Sequence, residues 1–463
     1  MTATPTMEPV ESLEASLERR FPPPEAYSHL AGDDWPADGP IPADTDAQRR
    51  FGQELLGPIF LQFCQRLHMA GVAFADRRAR LLFAARGGLR LRLLYELWCE
   101  RSGTQPVLPL GDILISRVAA AKGCLAADFD HVAPMLVREF GAGSLGYMLR
   151  CLLRGRAVDL PDVLAHCPVT VGSFAAIYRG EDALGQAVRD YFAEQAQAMA
   201  AYLEGLLAGI DTPVLVDSGW TGGTQALLMR DFPQWDWHGL YFGKWDYGRG
   251  PGPHFGHIFG VAVDSLEPYA NAPGQALFAY HHLIEDPLEI DAASVESYRL
   301  LPDGRGMPEG GDIDPMVLPP GRDDAMFQGI VDHFHSPAGA GDFMAVERRA
   351  HEAYRRLRRM ILWPRPAELP GMQVRPRSAD FGRSLTVPVL LRLPDASLKR
   401  RVKSVAAALW KPGQMVVAFP RLHGLVNGSS YLLRRIPFAG RFVDPLLRRG
   451  SGLARRVLRR LLR

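Results

Sequence analysis

Short apolar runs that end in a polar residue or a glycine turn are the feature that most limits how this chain can fold. Such runs lie at residues 81–84, 113–115, 214–216 and 239–243, and stretches with three- and four-residue apolar spacing accompany them. Strands that alternate with helices favour a mainly parallel sheet with helices on its faces. The sequence therefore predicts an α/β fold with flanking helices.

The segments around these runs differ in composition. Residues 1–46 are acidic and proline-rich with little to bury, which is typical of a disordered leader. We expect the α/β core at 47–345, with a helical insertion at about 129–207. Residues 346–463 are basic and punctuated by prolines, which predicts a basic helical C-terminal appendage.

Cysteine usage and hydropathy indicate the compartment. The five cysteines are scattered and lack CxxC spacing, which favours a reducing cytoplasm over a disulfide framework. Residues 1–46 lack the apolar stretch of a signal peptide, and no run approaches the roughly 20 apolar residues that span a bilayer. The basic residues are nearly all arginine, a hint of a high-GC bacterial genome.

The most informative segment is 214–225, in which an apolar strand runs into Asp-Ser-Gly-Trp-Thr-Gly-Gly-Thr-Gln. Glycines let backbone N–H groups approach an anion, and the following helix N-terminus adds a favourable dipole. Asp217, at the strand end, is placed to bind a ribose hydroxyl or a metal ion where open α/β sheets bind ligands. The alternative is a tight turn in which Thr224 caps the helix and no ligand binds.

Two other strand ends carry anion-competent groups. Arg86-Gly87-Gly88 follows the first apolar run, and Ser116-Arg117 follows the second. Arginine can clamp a phosphate in bidentate fashion, although Arg86 could equally pair with an acidic neighbour. Since the carboxyl ends of parallel strands share one edge of a sheet, we expect the three segments to converge.

Three residues further along are weaker candidates. Lys244, just past the fourth apolar run, is either a phosphate contact or a surface lysine. His281 and Glu285, within His-His-x-x-Glu, could ligate a metal or supply a base, or be structural.

These motifs, in this order, resemble the glycan phosphoribosyltransferase module of bacterial ribofuranosyltransferases. That module also looks like the C-terminal half of polysaccharide-locus proteins described as predicted haloacid-dehalogenase-type hydrolases. Its usual pattern is Arg-Asp-Gly after an apolar strand, a later Ser-Arg, and Asp-x-Gly-Trp-x-Gly-x-x-Gln. The likeness spans roughly residues 51–343, and the tryptophan-containing segment is its specific part.

The resemblance implies a glycosyltransferase of surface-polysaccharide biosynthesis. Such modules transfer 5-phosphoribose from phosphoribosyl pyrophosphate to a hydroxyl of a lipid-linked glycan, with Mg²⁺ as the expected cofactor. It implies catalytic roles for Asp217, Arg86 and Glu285, with Asp217 also holding the metal. The implied substrate-binding residues are Gly87, Gly88, Ser116, Arg117, Gly219, Trp220, Thr221, Gly222, Gly223, Thr224, Gln225, Lys244 and His281.

The chain departs from that pattern in two respects. Gly87 stands where the module usually has aspartate, which removes a carboxylate that might serve as metal partner or base. A non-catalytic polysaccharide-assembly or scaffold protein on a degenerate version of the fold is therefore the alternative function. The Asp-x-Asp motif of a phosphatase does not follow an apolar strand here. Hydrolase chemistry is thus disfavoured, and a separate phosphatase would have to remove the 5-phosphate.

The last twelve residues predict a further partner. Along 452–463, leucine, valine and alanine occupy one half of a helical wheel and five arginines occupy the other half. Such a helix is typical of binding to an anionic membrane surface, which suits a lipid-linked acceptor, although it could also pack on its own domain. We expect a cytoplasmic protein, peripheral on the inner membrane face. No recognised nucleic-acid-binding fold accompanies the charge, so no nucleic acid partner is expected.

Overall fold

The centre of the fold is a five-stranded parallel sheet. The computed structural model describes residues 42–140, 143–153, 156, 158–246, 252–265, 273–290, 294–310, 324–378, 386–393 and 396–433. The strands are β1 (Ala79–Ala84), β2 (Leu110–Ile113), β3 (Thr212–Trp220), β4 (His238–Lys244) and β5 (Ile258–Asp264), in the order β2-β1-β3-β4-β5. The predicted α/β fold with a parallel sheet and flanking helices is confirmed.

Helices account for most of the remaining described residues. The α-helices are α1 (Thr45–Phe51), α2 (Gly57–Gly71), α3 (Gly87–Ser102), α4 (Arg117–Leu125), α5 (Phe129–Phe140), α6 (Leu145–Leu152), α7 (Val171–Tyr178), α8 (Ala183–Leu206), α9 (Gly223–Asp231), α10 (His282–Leu288), α11 (Ala325–His335), α12 (Phe343–Leu362), α13 (Leu398–Ala407), α14 (Lys411–Ala418) and α15 (His423–Leu433). A π-helical turn, Gly52–Leu56, joins α1 to α2. Short 3-10 turns occupy Val72–Phe74, Asp162–Ala165, Pro253–His257, Pro273–Ala279, Pro337–Ala340, Pro366–Glu368 and Pro370–Met372.

Short β-strands complete the described elements. β6 (Ser297–Leu300) and β7 (Gly306–Glu309) form an antiparallel hairpin, and β8 (Arg377–Ser378) and β9 (Thr386–Val387) have two residues each. The sequence patterns did not single out this hairpin, whose strands have four residues each, or β5, in which Gly260 interrupts the apolar residues.

The sheet opens between β1 and β3 at their carboxyl ends. β1 pairs with β3 as far as Phe83 and Val216, whereas β3 continues beside β4 until Trp220 pairs with Lys244. The chain places β2 on one side of β1 and β3 on the other, so this gap is the point where the strand order reverses. Open α/β sheets bind ligands at such a point.

Strand β3 is longer than the apolar pattern predicts. The pattern indicated 214–216 with a loop from residue 217, but β3 runs from Thr212 to Trp220. Neighbouring β4 supplies pairing partners for Asp217, Gly219 and Trp220, and a strand with such partners continues through polar residues and glycine. The turn between β3 and α9 is therefore only Thr221 and Gly222.

The chain divides into two compact units. Among the described residues, one unit comprises those of 130–189 together with 378 and 386–387, and its helices α6 and α7 lie within the segment where a helical insertion was predicted. The other unit comprises the described residues of 42–129, 190–377 and 388–433 and contains the five-stranded sheet. Of the predicted leader, 1–41 lie outside the described residues, and so does the amphipathic segment 452–463.

Part of the basic C-terminal region packs with the residues of the sheet. Helix α12 and Trp410 belong to the hydrophobic core that covers the sheet. Trp410 stacks on Tyr280 with ring centroids 4.4 Å apart, and its indole N–H donates to the Ile361 carbonyl. These contacts and the buried apolar side chains of α12 join α12 and Trp410 to the α/β core, an association that the basic composition did not reveal.

Gly88 fixes the approach of α3 to the sheet. A Cβ on Gly88 would lie 2.6 Å from the Val216 carbonyl oxygen and 3.0 Å from the Phe83 carbonyl carbon. A Cβ on Gly87 would lie 3.5 Å from its nearest neighbour, the Asp217 carboxylate. Gly88 is therefore a packing residue, whereas Gly87 faces the gap between β1 and β3.

We expect these adjacent glycines to respond differently to alanine. Gly88→Ala should lower the free energy of unfolding by about 1–3 kcal/mol, because the added methyl group meets main-chain atoms that cannot yield without moving a strand. Gly87→Ala should be neutral or slightly stabilising, since its contacts are ordinary and alanine favours the helix. Denaturant unfolding of the two variants measures the difference, and equal losses would contradict the packing role of Gly88.

Candidate active site at the carboxyl ends of β1 and β3

The three predicted segments come together beside the gap between β1 and β3. Gly87 opens α3 directly after β1, and a Cβ at this position would lie within 3.7 Å of both the Asp217 carboxylate and the Ser218 hydroxyl. Arg117, at the start of α4, brings its Nε to 3.9 Å from the corresponding Cβ position on Gly223. The peptide bonds Ala85–Arg86 and Gly219–Trp220 are both cis. The strand ends thus enclose Asp217 between an arginine and a glycine turn.

Asp217 is the central acidic group of this crevice. Its Oδ1 accepts a hydrogen bond from the Ser218 backbone N–H at 2.7 Å. Burial raises the pKa of Asp217 to about 7 and outweighs the lowering effects of the Ser218 N–H and the Arg117 charge, while nearby Glu285 raises it further. A carboxyl group with this pKa exchanges a proton near neutrality, as a general base requires.

The turn from β3 into α9 presents main-chain donors. Gly222 adopts a left-handed conformation with φ of 65° and is the N-cap of α9, so the helix begins without a side-chain cap. The hydroxyl of Thr224 therefore does not fill the capping position that the ligand-free alternative assigned to it. The first N–H groups of α9, from Gly223 onward, form a potential anion site close to Arg117.

An ion-pair cluster forms another part of the site. Glu285 accepts from the Trp220 indole N–H at 2.9 Å and from the Arg377 guanidinium at 3.0 Å, and His282 Nδ1 lies 3.0 Å from it. Burial opposes ionisation of Glu285. The His282 hydrogen bond and the nearby His281 and Arg377 override that effect and hold the pKa of Glu285 well below its usual range. Glu285 is therefore a fixed anion that orients its partners.

Arg86 belongs to the same cluster. Its guanidinium contacts the Glu289 carboxylate at 2.5 Å, and Glu289 also accepts from Arg377 at 2.6 Å. The acidic neighbour considered as an alternative for Arg86 is thus Glu289. Arg86 can act as a phosphate clamp only by exchanging this partner for the ligand.

His281 lies against aromatic rings. It meets Trp220 and Trp245 edge-on, with ring centroids 5.5 Å and 5.7 Å apart. Burial lowers the pKa of His281 to about 4. It is therefore a neutral imidazole at physiological pH, able to offer one hydrogen bond but no positive charge.

Several predicted ligand residues are occupied within the fold. The Lys244 ammonium donates to the carbonyls of Phe255 and Ile258 at 2.9 Å each, and Gln225 is fully buried with its Oε1 accepting from Tyr241. Ser116 caps α4 and donates to the Val295 carbonyl. These side chains stabilise the elements around the crevice, and Trp220 does the same through Glu285.

Two contributors were missed from the sequence. Glu289 follows Glu285 by four residues, and Arg377 lies 92 residues from Glu285 in the sequence. Arg377 is almost completely buried, with 11% of its side chain exposed. Only the Arg-Pro-Arg run at 375–377 marks this position in the sequence, and nothing local connects it to the crevice.

Among the described acidic groups of the site, Asp217 is the one that fits Mg²⁺. Asp217 is a buried carboxylate whose pKa is raised to about 7, and a bound cation would restore its ionised form. Glu285 is already engaged by Arg377, Trp220 and His282. Mg²⁺ binds proteins through one or two carboxylates together with substrate phosphates. The residues present fit such an ion held by Asp217 and a phosphorylated ligand.

We expect Asp217→Asn to stabilise the protein at neutral and basic pH. The raised pKa means that the folded state binds more protons than the unfolded state between about pH 4 and 7, so wild-type stability falls as pH rises through that window. The variant lacks this titration. Its advantage should grow to on the order of 2–4 kcal/mol by pH 8, as measured by urea unfolding at several pH values in chelator.

Asp236→Asn is the matched control, because the pKa of Asp236 is lowered whereas that of Asp217 is raised. The hydrogen bond from His238 and the charges around Asp236 outweigh its desolvation and lower its pKa. Its contribution to stability is therefore present above the unfolded pKa, and replacing it should slightly destabilise the protein at pH 8. A pH-independent effect of Asp217→Asn would contradict the buried, proton-binding state of Asp217.

Comparisons with known proteins identify no family for this chain. Neither the family models nor the curated proteins gave a match to this chain. The resemblance to the phosphoribosyltransferase module therefore rests on the motifs at 83–88, 116–117 and 217–225. The activity that it implies is a proposal.

Proposed function

We propose that this protein is a phosphoribosyltransferase-like glycosyltransferase that transfers 5-phosphoribose from phosphoribosyl pyrophosphate to a hydroxyl of a lipid-linked glycan. The observation that carries the proposal is Asp217, a buried carboxyl group with a pKa of about 7 at the strand-order reversal of a parallel sheet. A base of this pKa beside an anion-binding helix terminus suits transfer of a sugar from a phosphorylated donor.

The donor phosphates would bind on the α9 side of Asp217. The uncapped N–H groups beginning at Gly223 and the guanidinium of Arg117 supply the positive potential. Arg86 would join them when an entering pyrophosphate replaces Glu289 as its partner. Gly87 leaves room for a group of about the size of a methyl beside the Asp217 carboxylate.

In the proposed transfer step, Asp217, Arg117 and the N–H groups of α9 account for the proton and for the charge of the leaving group. The acceptor hydroxyl oxygen forms a bond to the ribose C1, the bond from C1 to the pyrophosphate oxygen breaks, and pyrophosphate leaves with the electron pair. Asp217 takes the hydroxyl proton, and Arg117 with the α9 N–H groups stabilises the charge on the leaving group. Mg²⁺ carried by the donor phosphates would add electrophilic stabilisation of that leaving group. The product keeps its 5-phosphate, so a separate phosphatase would be needed where ribose is the final sugar.

One observation favours a non-catalytic assembly or scaffold protein as the second candidate. Arg86, Glu285 and Arg377 already satisfy one another or their neighbours, and Gly87 offers no carboxylate. A scaffold would keep this balanced ion cluster for stability and would not bind pyrophosphate. Donor binding therefore separates the two functions.

We expect saturable binding of phosphoribosyl pyrophosphate with Mg²⁺ in isothermal titration calorimetry. Asp217→Ala should abolish it, and Arg117→Ala should weaken it roughly 10- to 100-fold, which is the usual effect of losing hydrogen bonds between charged groups. Arg305→Ala, on the β6–β7 hairpin, removes an exposed arginine and should leave the affinity unchanged. No binding by the wild type at millimolar donor would favour the scaffold, and equal weakening by both arginine variants would indicate nonspecific charge attraction.

A peripheral position on the inner membrane face belongs to the same proposal. Among the described residues, no helix has the length and apolar character needed to cross a bilayer. Leu422, Leu425, Val426 and Leu432, on or beside α15, are 44–76% exposed and share one helical face. The arginine-rich segment that ends at residue 463 follows α15 in the chain. Exposed apolar side chains next to basic residues suit an anionic lipid surface.

We expect the full-length protein to sediment with phosphatidylglycerol vesicles and not with phosphatidylcholine vesicles. Replacing Arg455, Arg456, Arg459 and Arg460 with glutamine should weaken this binding roughly 100-fold or more, since each basic residue near an anionic surface contributes about 1 kcal/mol. The matched fourfold lysine variant should still bind, because the charge is retained. Equal sedimentation of the glutamine variant and the wild type would contradict a role of segment 452–463 in membrane binding.

A further inference from the structure

A second group of polar side chains lies at the other edge of the sheet, at the amino ends of β4 and β5. Asp236 and His238 stand two residues apart where β4 begins, and His257 directly precedes β5. Gly239 and Ile258 are paired in the parallel register, so the residues before them, His238 and His257, are neighbours across the two strands. Their ring centroids are 5.2 Å apart.

The donor atoms of this group converge. His238 Nε2 lies 3.0 Å from Asp236 Oδ2, and His257 Nδ1 lies 3.9 Å from Asp236 Oδ1. One donor atom from each residue falls within 4.8 Å of the others. Tetrahedral zinc with ligand bonds near 2.0–2.1 Å separates its donors by about 3.3 Å. The His257 separation from Oδ1 is wider than this and the 3.0 Å separation of His238 is to the other oxygen, Oδ2, so binding through Oδ1 requires a small rearrangement of these side chains.

His257 gives a second, independent indication. Its Nδ1 is buried and makes no hydrogen bond within the part of the chain that the structure describes. A buried imidazole nitrogen normally has a partner, since leaving it unsatisfied costs free energy. The nearest acidic atom, Asp236 Oδ1, is too distant for a hydrogen bond and leaves room for an ion between the two.

Neighbouring residues fix the position of the Asp236 carboxylate, and the side chains of Asp236, His238 and His257 remain partly exposed. Arg77 donates to Asp236 Oδ2 at 2.9 Å, while Phe74 packs edge-on against the His238 ring. The side chains of Asp236, His238 and His257 are 47%, 23% and 41% exposed, so solvent reaches these side chains, although the His257 Nδ1 atom is itself buried. Three protein ligands with an open fourth position are the usual arrangement of a water-accessible zinc site.

The other His and Glu group in the described residues is different. Glu285 is already bound to Arg377 and Trp220, and His281 packs between tryptophan rings. A cation there would have to displace a buried guanidinium. The group on β4 and β5 carries no such obstacle at Asp236 Oδ1.

We propose that His238 Nε2, His257 Nδ1 and Asp236 Oδ1 form a binding site for a divalent transition metal of the zinc type, with water as the fourth ligand. Two imidazoles and one carboxylate select such metals over Mg²⁺. The ion would fasten the start of β4 to the start of β5. This site is separate from Asp217 and independent of the proposed transferase activity.

Titration of the metal-stripped protein with Zn²⁺ tests the site, with isothermal calorimetry for affinity and thermal unfolding for stability. We expect one site of micromolar or tighter affinity and a rise in melting temperature with Zn²⁺, because an ion that binds only the folded state stabilises it. Co²⁺ in place of Zn²⁺ should give the visible absorption of tetrahedral coordination.

The variants His238→Ala and His257→Ala should each weaken binding roughly 30-fold or more and abolish the Co²⁺ spectrum, because each removes one of three ligands. Asp236→Asn provides a third variant that keeps the size of the side chain, should either histidine variant unfold. His335→Ala, an exposed histidine on α11, and His282→Ala, in the other group, should both bind as the wild type does.

Three results would overturn the proposal. They are the absence of Zn²⁺ binding below about 100 μM, a Kd well weaker than typical sites; binding that survives in all three ligand variants; and binding that His282→Ala abolishes. The last would place the ion at the His281, His282 and Glu285 group instead.

Discussion

The site depends on one constraint, the desolvation of the Asp217 carboxyl group where β3 extends beyond β1. Pairing with β4 carries β3 past Val216, so Asp217 remains in a strand while its other side faces the turn after β1. Packing around the strand removes water from the carboxylate and raises its pKa to about 7. The same geometry brings Gly87 and Ser218 next to Asp217.

The ion cluster on α10 supports that arrangement from the opposite direction. Glu285 holds the indole of Trp220, the residue that ends β3, and Arg377 holds both Glu285 and Glu289. Breaking a buried pair of this kind leaves an uncompensated charge, so the partners fix one another's positions. Within the cluster, Glu285 is paired with Arg377, and Glu289 is paired with both Arg86 and Arg377.

Much of the fold followed from the apolar pattern. The runs at 81–84 and 214–216 lie within β1 and β3, and their carboxyl ends meet as parallel strands require. The pattern placed the second strand at 113–115, whereas β2 ends at Ile113, because residues 114–116 lead into the cap of α4. β5 was not recognised, and the basic region after residue 346 gave no sign that Trp410 packs on Tyr280 within the core. Such contacts depend on which surfaces meet, and no local spacing records them.

The sequence by itself determined the alternation of strands and helices around β1, β3 and β4, the place of Asp217 in a strand–turn–helix segment and the small residues of the turn into α9. These are local properties, since side-chain periodicity and glycine placement act over a few residues. Tertiary structure alone decided that Asp217 is desolvated, that Lys244 and Gln225 turn inward, that Arg86 is held by Glu289 and that Arg377 reaches Glu285 across 92 residues of chain. The physical reason is that a charge is set by the solvent and partners around it, and both are supplied by segments distant in the sequence.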